Sequence, residues 1–215
     1  MTTPPPTEPS TGSNRWRDLT GGVEGTDYAA RFERLAATGA DVHGEATLCA
    51  SLAPPGSRVL DAGCGTGRVA VRLAELGYDC VGVDSDESML AMARASAQPV
   101  RWVLGDLADL AAVAAEVGSG FDLVVAAGNV VPLLGSGTEP VVVSALARRL
   151  RRGGLLVAGF GLDVAHLPID FVPVDLPSYD RWCADAGLLP VHRFATWDGA
   201  PYDEGGYAVS IHRRR

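Results

Sequence analysis

The segment Arg58-Val59-Leu60-Asp61-Ala62-Gly63-Cys64-Gly65-Thr66-Gly67 decides the fold. An apolar run carrying one acid gives way to glycines at alternate positions, and a helical pattern follows Gly67. Alternate glycines let a chain turn tightly from strand to helix and bring its backbone close to a ligand. The helix after such a turn presents unpaired N–H groups to it. Outward from this turn, short apolar runs alternate with helical patterns. Strands are expected at Asp79–Val83, Val100–Leu104, Phe121–Ala126 and Leu155–Phe160, with helices at Gly67–Leu76, Glu87–Ala95, Leu107–Val117 and Glu139–Leu150. That alternation predicts an α/β fold, a doubly wound Rossmann-like sheet covered by helices on both faces. A helix near Tyr179–Ala186 and strands near Leu189–Trp197 and Gly206–His212 are expected to complete a seven-stranded sheet, mostly parallel with one antiparallel edge strand.

One spacing points to a ligand. Asp61, Asp84, Asp106 and Asn129 each follow a buried-strand pattern, at intervals of 23, 22 and 23 residues. One strand–helix unit has about that length, so four polar side chains fall at the carboxyl ends of four strands, where open α/β sheets bind ligands. The dinucleotide fingerprint G-x-G-x-x-G would need a small residue at 68, and Arg68 stands there. An acid two residues before the first glycine suits a ligand carrying positive charge rather than a phosphate. A nicotinamide-dependent oxidoreductase on a related sheet is therefore the weaker reading.

Composition narrows the field further. The chain has 215 residues, 47% apolar and 20% charged, enough for one globular domain with a buried core. Its 18 basic residues are all arginine, and 26 acids give a net charge of −8. That balance argues against nucleic-acid and acidic-membrane partners. The four cysteines (49, 64, 80 and 183) show no metal-knuckle spacing, so no metal is expected, and reduced thiols in the cytoplasm fit best. Residues 1–14 are rich in Pro, Thr and Ser and are expected to be a disordered tail. Tyr28, Phe32 and Leu35 at helical spacing, then Glu45–Leu52, make residues 15–56 a helical appendage, expected to act as a lid over the domain at 57–215.

Asp61-x-Gly63-Cys64-Gly65-Thr66-Gly67 after an apolar strand resembles motif I of the class I S-adenosylmethionine-dependent methyltransferases, in particular the small-molecule type with a methyltransferase-11/25-like domain. Later parts agree in order and spacing: Gly82-Val83-Asp84, Gly105-Asp106-Leu107, Phe121–Val124 and Leu150–Gly154, where Arg152-Gly153-Gly154 replaces the family's usual Pro-Gly-Gly. The resemblance implies S-adenosyl-L-methionine as cofactor. It implies that Gly63, Cys64, Gly65 and Gly67 lie against its methionine portion, with Asp61 beneath. Asp84, followed by Ser85, would accept from both ribose hydroxyls. Asp106 would accept from the adenine amino group, Leu107 would donate its N–H to the ring, and Gly128 and Asn129 would close over the cofactor. The implied activity is methyl transfer to a small-molecule acceptor by in-line displacement; a module that binds the cofactor without transferring is the further alternative.

The acceptor side is thinner. His43 and His166 are the two candidate bases, and each reads equally as a surface histidine; His192 and His212 fall in the late strands. Arg68 has two readings, a carboxylate binder or a solvated helix residue. Tyr28, Arg31 and Met89 are candidates for the cofactor's surroundings or for plain packing. The loop Thr196–Gly206, with Trp197 and Tyr202, reads as either an acceptor wall or a hairpin loop.

Overall fold

The computed structural model describes residues 15–20 and 24–215, so the expected tail over 1–14 lies outside the described residues. Elements run in the order α1 (Arg15–Thr20), α2 (Gly25–Ala37), α3 (Gly44–Leu52), β1 (Arg58–Ala62), α4 (Arg68–Glu75), β2 (Asp79–Asp84), α5 (Glu87–Arg94), β3 (Arg101–Leu104), a 3₁₀ turn (Leu107–Asp109) and α6 (Ala114–Val117). They continue with β4 (Phe121–Ala126), α7 (Glu139–Arg149), β5 (Leu150–Gly161), α8 (Leu176–Asp185), β6 (Leu188–Phe194) and β7 (Tyr207–Arg214). One sheet holds all seven strands in the order β3-β2-β1-β4-β5-β7-β6. β1 to β5 pair in parallel, whereas β7 pairs antiparallel with both β5 and β6. The antiparallel strand is thus second from the edge, and the outermost β6 returns to the common direction. The β6–β7 connection, residues 195–206, reverses the chain, and the place beside β5 is taken by the later strand.

Alternation along the central strands sorts side chains into two cores. Leu60, Val83, Val124, Ala126, Leu156 and Phe160 meet α7 and α8 on one face. Val59, Cys80, Leu123, Val125 and Val157 meet α3 and α4 on the other, through Cys49, Val69 and Leu73. Asp61 shares the parity of Val59 and so faces α4. All four cysteines are buried and unpaired.

Three expectations need correction. The helix expected over Leu107–Val117 is broken into the 3₁₀ turn and the short α6. Val113 folds back under Gly105, where a β-carbon would come within 2.7 Å of its methyl, and that reversal interrupts the helix. β5 begins at Leu150 rather than Leu155, because Gly154 lets the strand bulge against the carbonyls of Phe121 and Asp122. Leu35, expected on the packed stripe of α2, is 40% exposed. α2 meets the domain between Gly25 and Phe32: Gly25 is buried on α5, its N–H donating to Ser88 Oγ at 3.1 Å, and the Phe32 ring lies under Arg68.

The N-terminal helices are anchored by charge. Arg15 donates to Glu139 Oε1 at 3.0 Å and to the Pro132 carbonyl at 2.9 Å, with both charged side chains buried. α1 is thereby fixed across the loop that follows β4.

Gly82 in β2 gives way to the Trp102 indole, and a β-carbon there would also reach Cys64 Sγ at 3.0 Å. Gly82→Ala is expected to lower stability in urea unfolding by about 1–3 kcal/mol, the usual cost of overpacking. Adding Trp102→Leu should recover part of that loss; a Gly82→Ala variant as stable as wild type would contradict this packing.

Candidate cofactor cleft

The strand order reverses direction between β1 and β4, and the crevice opens above their carboxyl ends, as the topology requires. The cleft there encloses about 920 Å³ of empty space, part of it open to solvent. Its lining includes Asp61, Gly63, Cys64, Gly65, Asp84, Ser85, Asp106, Leu107 and Gly128, so nine of the eleven residues expected to bind a cofactor meet in one place.

The glycine turn is built from β1 and locked to β2. Gly63 and Cys64 donate their N–H groups to the Val83 carbonyl at 2.8 and 3.1 Å. Gly65 donates to Asp84 Oδ2 at 2.7 Å. Gly65 has a φ of +54°, and a β-carbon there would meet only the Tyr28 ring, at 3.9 Å. The left-handed conformation favours glycine, and the space above it is left free for a ligand.

The acids divide the work. Asp84 Oδ1 accepts from the Asp86 N–H at 2.9 Å, so each of its oxygens holds a backbone amide, and the Ser85 amide also acts on the carboxylate. Burial raises its pKa, opposed by those amides. Asp106 is exposed; its Oδ1 accepts from Ala108 N at 2.8 Å, capping the 3₁₀ turn, and Oδ2 is left for a ligand. Asp61 is only 2% exposed and accepts from Ala70 N at 3.1 Å. Burial pushes its pKa to about 7, offset in part by the Ala70 amide and by Arg68. A buried carboxylate so poorly compensated favours a cationic ligand beside it.

Two expected residues stand outside the lining. Gly67 is turned to the protein interior, where a β-carbon would collide with the Trp102 ring. Asn129 (φ +68°) bridges two strand ends: its Oδ1 accepts from Gly161 N at 2.7 Å, and its Nδ2 donates to the His166 carbonyl at 3.0 Å. Its polar side chain is spent on fixing the β4 turn to β5, and its neighbour Gly128 faces the cleft.

Arg68 lines the cleft, and its guanidinium is paired within the protein. It forms a two-pronged ion pair with Glu45 (2.5 and 2.8 Å), donates to the Val42 carbonyl and stacks over Phe32 at 4.5 Å. It thus ties α2 and α3 to the first turn of α4. Tyr28 and Trp16, 6.0 Å apart edge to face, form the wall opposite the glycine turn. Met89 lines the cleft, whereas Arg31 and Met92 do not. Cys64 packs as a neutral thiol, its pKa raised well above the usual value by burial. Sequence reading missed Trp16, which abuts the polar tail, and the segment Val130–Leu134. That second signal was present: an apolar run broken by Pro132 directly after a strand is too short to be a further strand and covers the cleft instead.

His43 stands at the N-cap position of α3 without a side-chain capping bond and lines neither cleft. His192 stacks on Phe194, and His212 is buried 3.5 Å from Asp180. His166 lines a second cleft with Trp197, Asp203 and Tyr207, beside the first. Among the described residues no three His, Cys, Asp or Glu side chains are grouped to hold a metal.

Comparison with known proteins matches residues 59–154 to a methyltransferase domain family. A solved TehB-like S-adenosylmethionine-dependent methyltransferase from Corynebacterium glutamicum is 32% identical, with a TM-score of 0.78 over 89% of this chain and 98% of that one. YqeM of Bacillus subtilis, which carries a methyltransferase name, is 28% identical over 163 residues, 70% of this chain and 64% of its own length. At 21% identity, CalS10 from Micromonospora echinaspora, an amino pentose methyltransferase, shares the fold with a TM-score of 0.66 over 87% of this chain and 96% of its own.

Arg68→Gln should loosen the helices over the cleft. Losing charged hydrogen bonds in a partly buried pair costs about 1.5–3 kcal/mol, so amide exchange across residues 25–52 should quicken by roughly 10- to 100-fold. Unchanged exchange there would show that the Glu45 pair does not hold them.

Proposed function

This chain belongs to the class I S-adenosylmethionine-dependent methyltransferases, and we propose that it transfers the methyl group to a small-molecule acceptor. One observation carries the reading: a carboxylate at the end of β2, Asp84, holds the glycine turn of β1 and lines the same cleft. The residues fit the cofactor. Asp84 suits a vicinal diol, since a carboxylate accepting two hydrogen bonds makes the strong, charge-assisted kind. Asp61 supplies negative charge below the glycine turn, where a sulfonium and an ammonium are to be held. Gly65 and Gly128 leave backbone surface clear for close approach. Asp106 and Leu107 stand at the far end for the base.

When bound, S-adenosylmethionine supplies a methyl group already activated on sulfur. The protein's task is then orientation, which contributes about 7–11 kcal/mol towards the barrier in well-aligned reactions. Trp16 and Tyr28 close one side of the cleft, and Asn129 fixes the strand-end turn next to which the acceptor would enter. The nicotinamide alternative is disfavoured by Asp61, a carboxylate beneath the glycine turn where a pyrophosphate would need donors, and by Arg68 standing at the position where the dinucleotide fingerprint needs a small residue. A small acceptor agrees with the amino pentose acted on by CalS10, and a net charge of −8 speaks against nucleic acid. We place the protein in the cytoplasm, in keeping with its unpaired cysteines; no described helix is long and apolar enough to cross a membrane.

Release of labelled methyl groups into a panel of small acceptors tests transfer itself; cofactor binding without any transfer would favour the binding module. Asp84→Ala should weaken S-adenosylhomocysteine binding in calorimetry by roughly 100-fold, for two lost hydrogen bonds to a charged group. Affinity should also depend on pH. Asp61 is protonated below about 7 and ionised above it. Binding a cationic ligand must drive the proton off, so affinity falls as pH drops below that value, by up to about tenfold per pH unit. Asp61→Asn should flatten that slope; a wild-type affinity constant between pH 5.5 and 8 (about 2.5 pH units) would contradict the assignment.

A further inference from the structure

The second cleft is bounded by the β5–α8 and β6–β7 loops and encloses about 660 Å³ of empty space, part of it open to solvent. We propose that it receives the methyl acceptor, that the acceptor is a planar molecule presenting a hydroxyl, and that His166, oriented by Asp163, takes the hydroxyl proton. The inference rests on the methyltransferase reading above.

Asp163 and His166 are built as a pair. Asp163 Oδ1 accepts from His166 Nδ1 at 2.7 Å and from the His166 backbone N–H at 3.0 Å. Those bonds hold the Asp163 carboxyl below the usual carboxylate range. An ionised Asp163 places the hydrogen on Nδ1 and leaves Nε2 as the basic nitrogen. Room for the pair comes from two glycines. A β-carbon on Gly206 would overlap the Asp163 carboxylate and lie 2.7 Å from Nδ1, and one on Gly161 would press on the His166 carbonyl at 2.7 Å.

Two aromatic side chains, Trp197 and Tyr207, stand in the lining and are fixed by each other. The Trp197 indole lies against Gly159 and donates to the Tyr207 hydroxyl at 3.0 Å. Tyr207 is 6.2 Å from the His166 ring. Burial pushes its phenol up to about 12, so it stays protonated at neutral pH. Of the other charged groups around His166, Asp203 accepts from Gly205 N, while Glu45 and Arg68 act on Tyr207 from α3 and α4. Flat walls select a flat ligand, and the dyad supplies a base.

The cleft adjoins the cofactor site. The His166 carbonyl is held by Asn129, next to cleft-lining Gly128, and Leu167 packs with Leu133 and Trp16 of the first cleft's wall. The chemistry balances. The acceptor oxygen forms its bond to the methyl carbon while the carbon–sulfur bond breaks and leaves its electron pair on sulfur as a neutral thioether. The hydroxyl proton goes to Nε2, giving an imidazolium beside the Asp163 carboxylate, and solvent later removes it. His166 and Asp163 are 48% and 47% exposed, so a seated acceptor would cover them.

The test uses 4-nitrophenol, 4-nitrocatechol and 4-methylumbelliferone as probes, with nitrobenzene as the hydroxyl-free control, all titrated into protein saturated with S-adenosylhomocysteine. At least one phenol should quench tryptophan fluorescence, and its bound form should ionise at lower pH than the free form by about one unit, a tenfold shift in the equilibrium. His166→Gln should abolish that shift, and Asp163→Asn should reduce it, with S-adenosylhomocysteine affinity unchanged in both. Nitrobenzene binding as well as the phenols, no phenol binding, or an equal shift in His166→Gln would overturn the proposal. Loss of S-adenosylhomocysteine binding by the wild-type protein would instead strike the methyltransferase reading beneath it.

Discussion

The 2.7 Å hydrogen bond from the Gly65 amide to Asp84 is the constraint on which the rest of the site depends. It joins the turn after β1 to the end of β2, beside the two amides that Gly63 and Cys64 donate to the Val83 carbonyl. Because each Asp84 oxygen already holds one amide, the acid is oriented before any ligand arrives. Preorganisation of this kind lowers the ordering cost of binding. Asp61 supplies the complementary electrostatic feature. Its carboxylate is buried with the Ala70 amide as hydrogen-bond partner and Arg68 as a charge acting on it, which offset its burial only in part, a condition that a further cation relieves.

Around that floor the covering elements are held by a few specific bonds rather than by a large apolar face. Arg68 gathers Glu45, Val42 and Phe32 onto the start of α4, Gly25 seats α2 on α5, and Arg15 pins α1 to α7 through Glu139. The distal half of α2, with Leu35 exposed, contributes little packing. Helices attached at a few points are suited to moving, and two of them carry Trp16 and Tyr28, which line one side of the cleft.

Much of this was legible in the chain because it is written in local pattern. Apolar runs interrupted at regular intervals by Asp61, Asp84 and Asp106 located three strand ends and their cleft, and the glycine turn marked the first of them. What escaped was set by contacts distant in sequence. Gly67 packs against Trp102, thirty-five residues on, and so stands outside the cleft lining. Asn129 follows the same spacing as the acids, yet β5 and the His166 loop claim its amide. Arg68 stood as free or ligand-binding in the sequence because its partner, Glu45, lies on a helix whose docking no local pattern records. The Asp163–His166 pair depends likewise on Gly206 arriving from β7's side of the sheet.

The central claim is that Asp84 and the glycine turn together hold a nucleoside whose cationic end lies over Asp61. A crystal structure of the protein with S-adenosylhomocysteine tests it most directly. The account predicts both ribose hydroxyls within hydrogen-bonding distance of Asp84, the adenine between Asp106 and Met89, and the amino-acid end against Gly65 beneath Tyr28. A ligand seated between Trp197 and Tyr207 instead, or one that leaves Asp84 untouched, would contradict it.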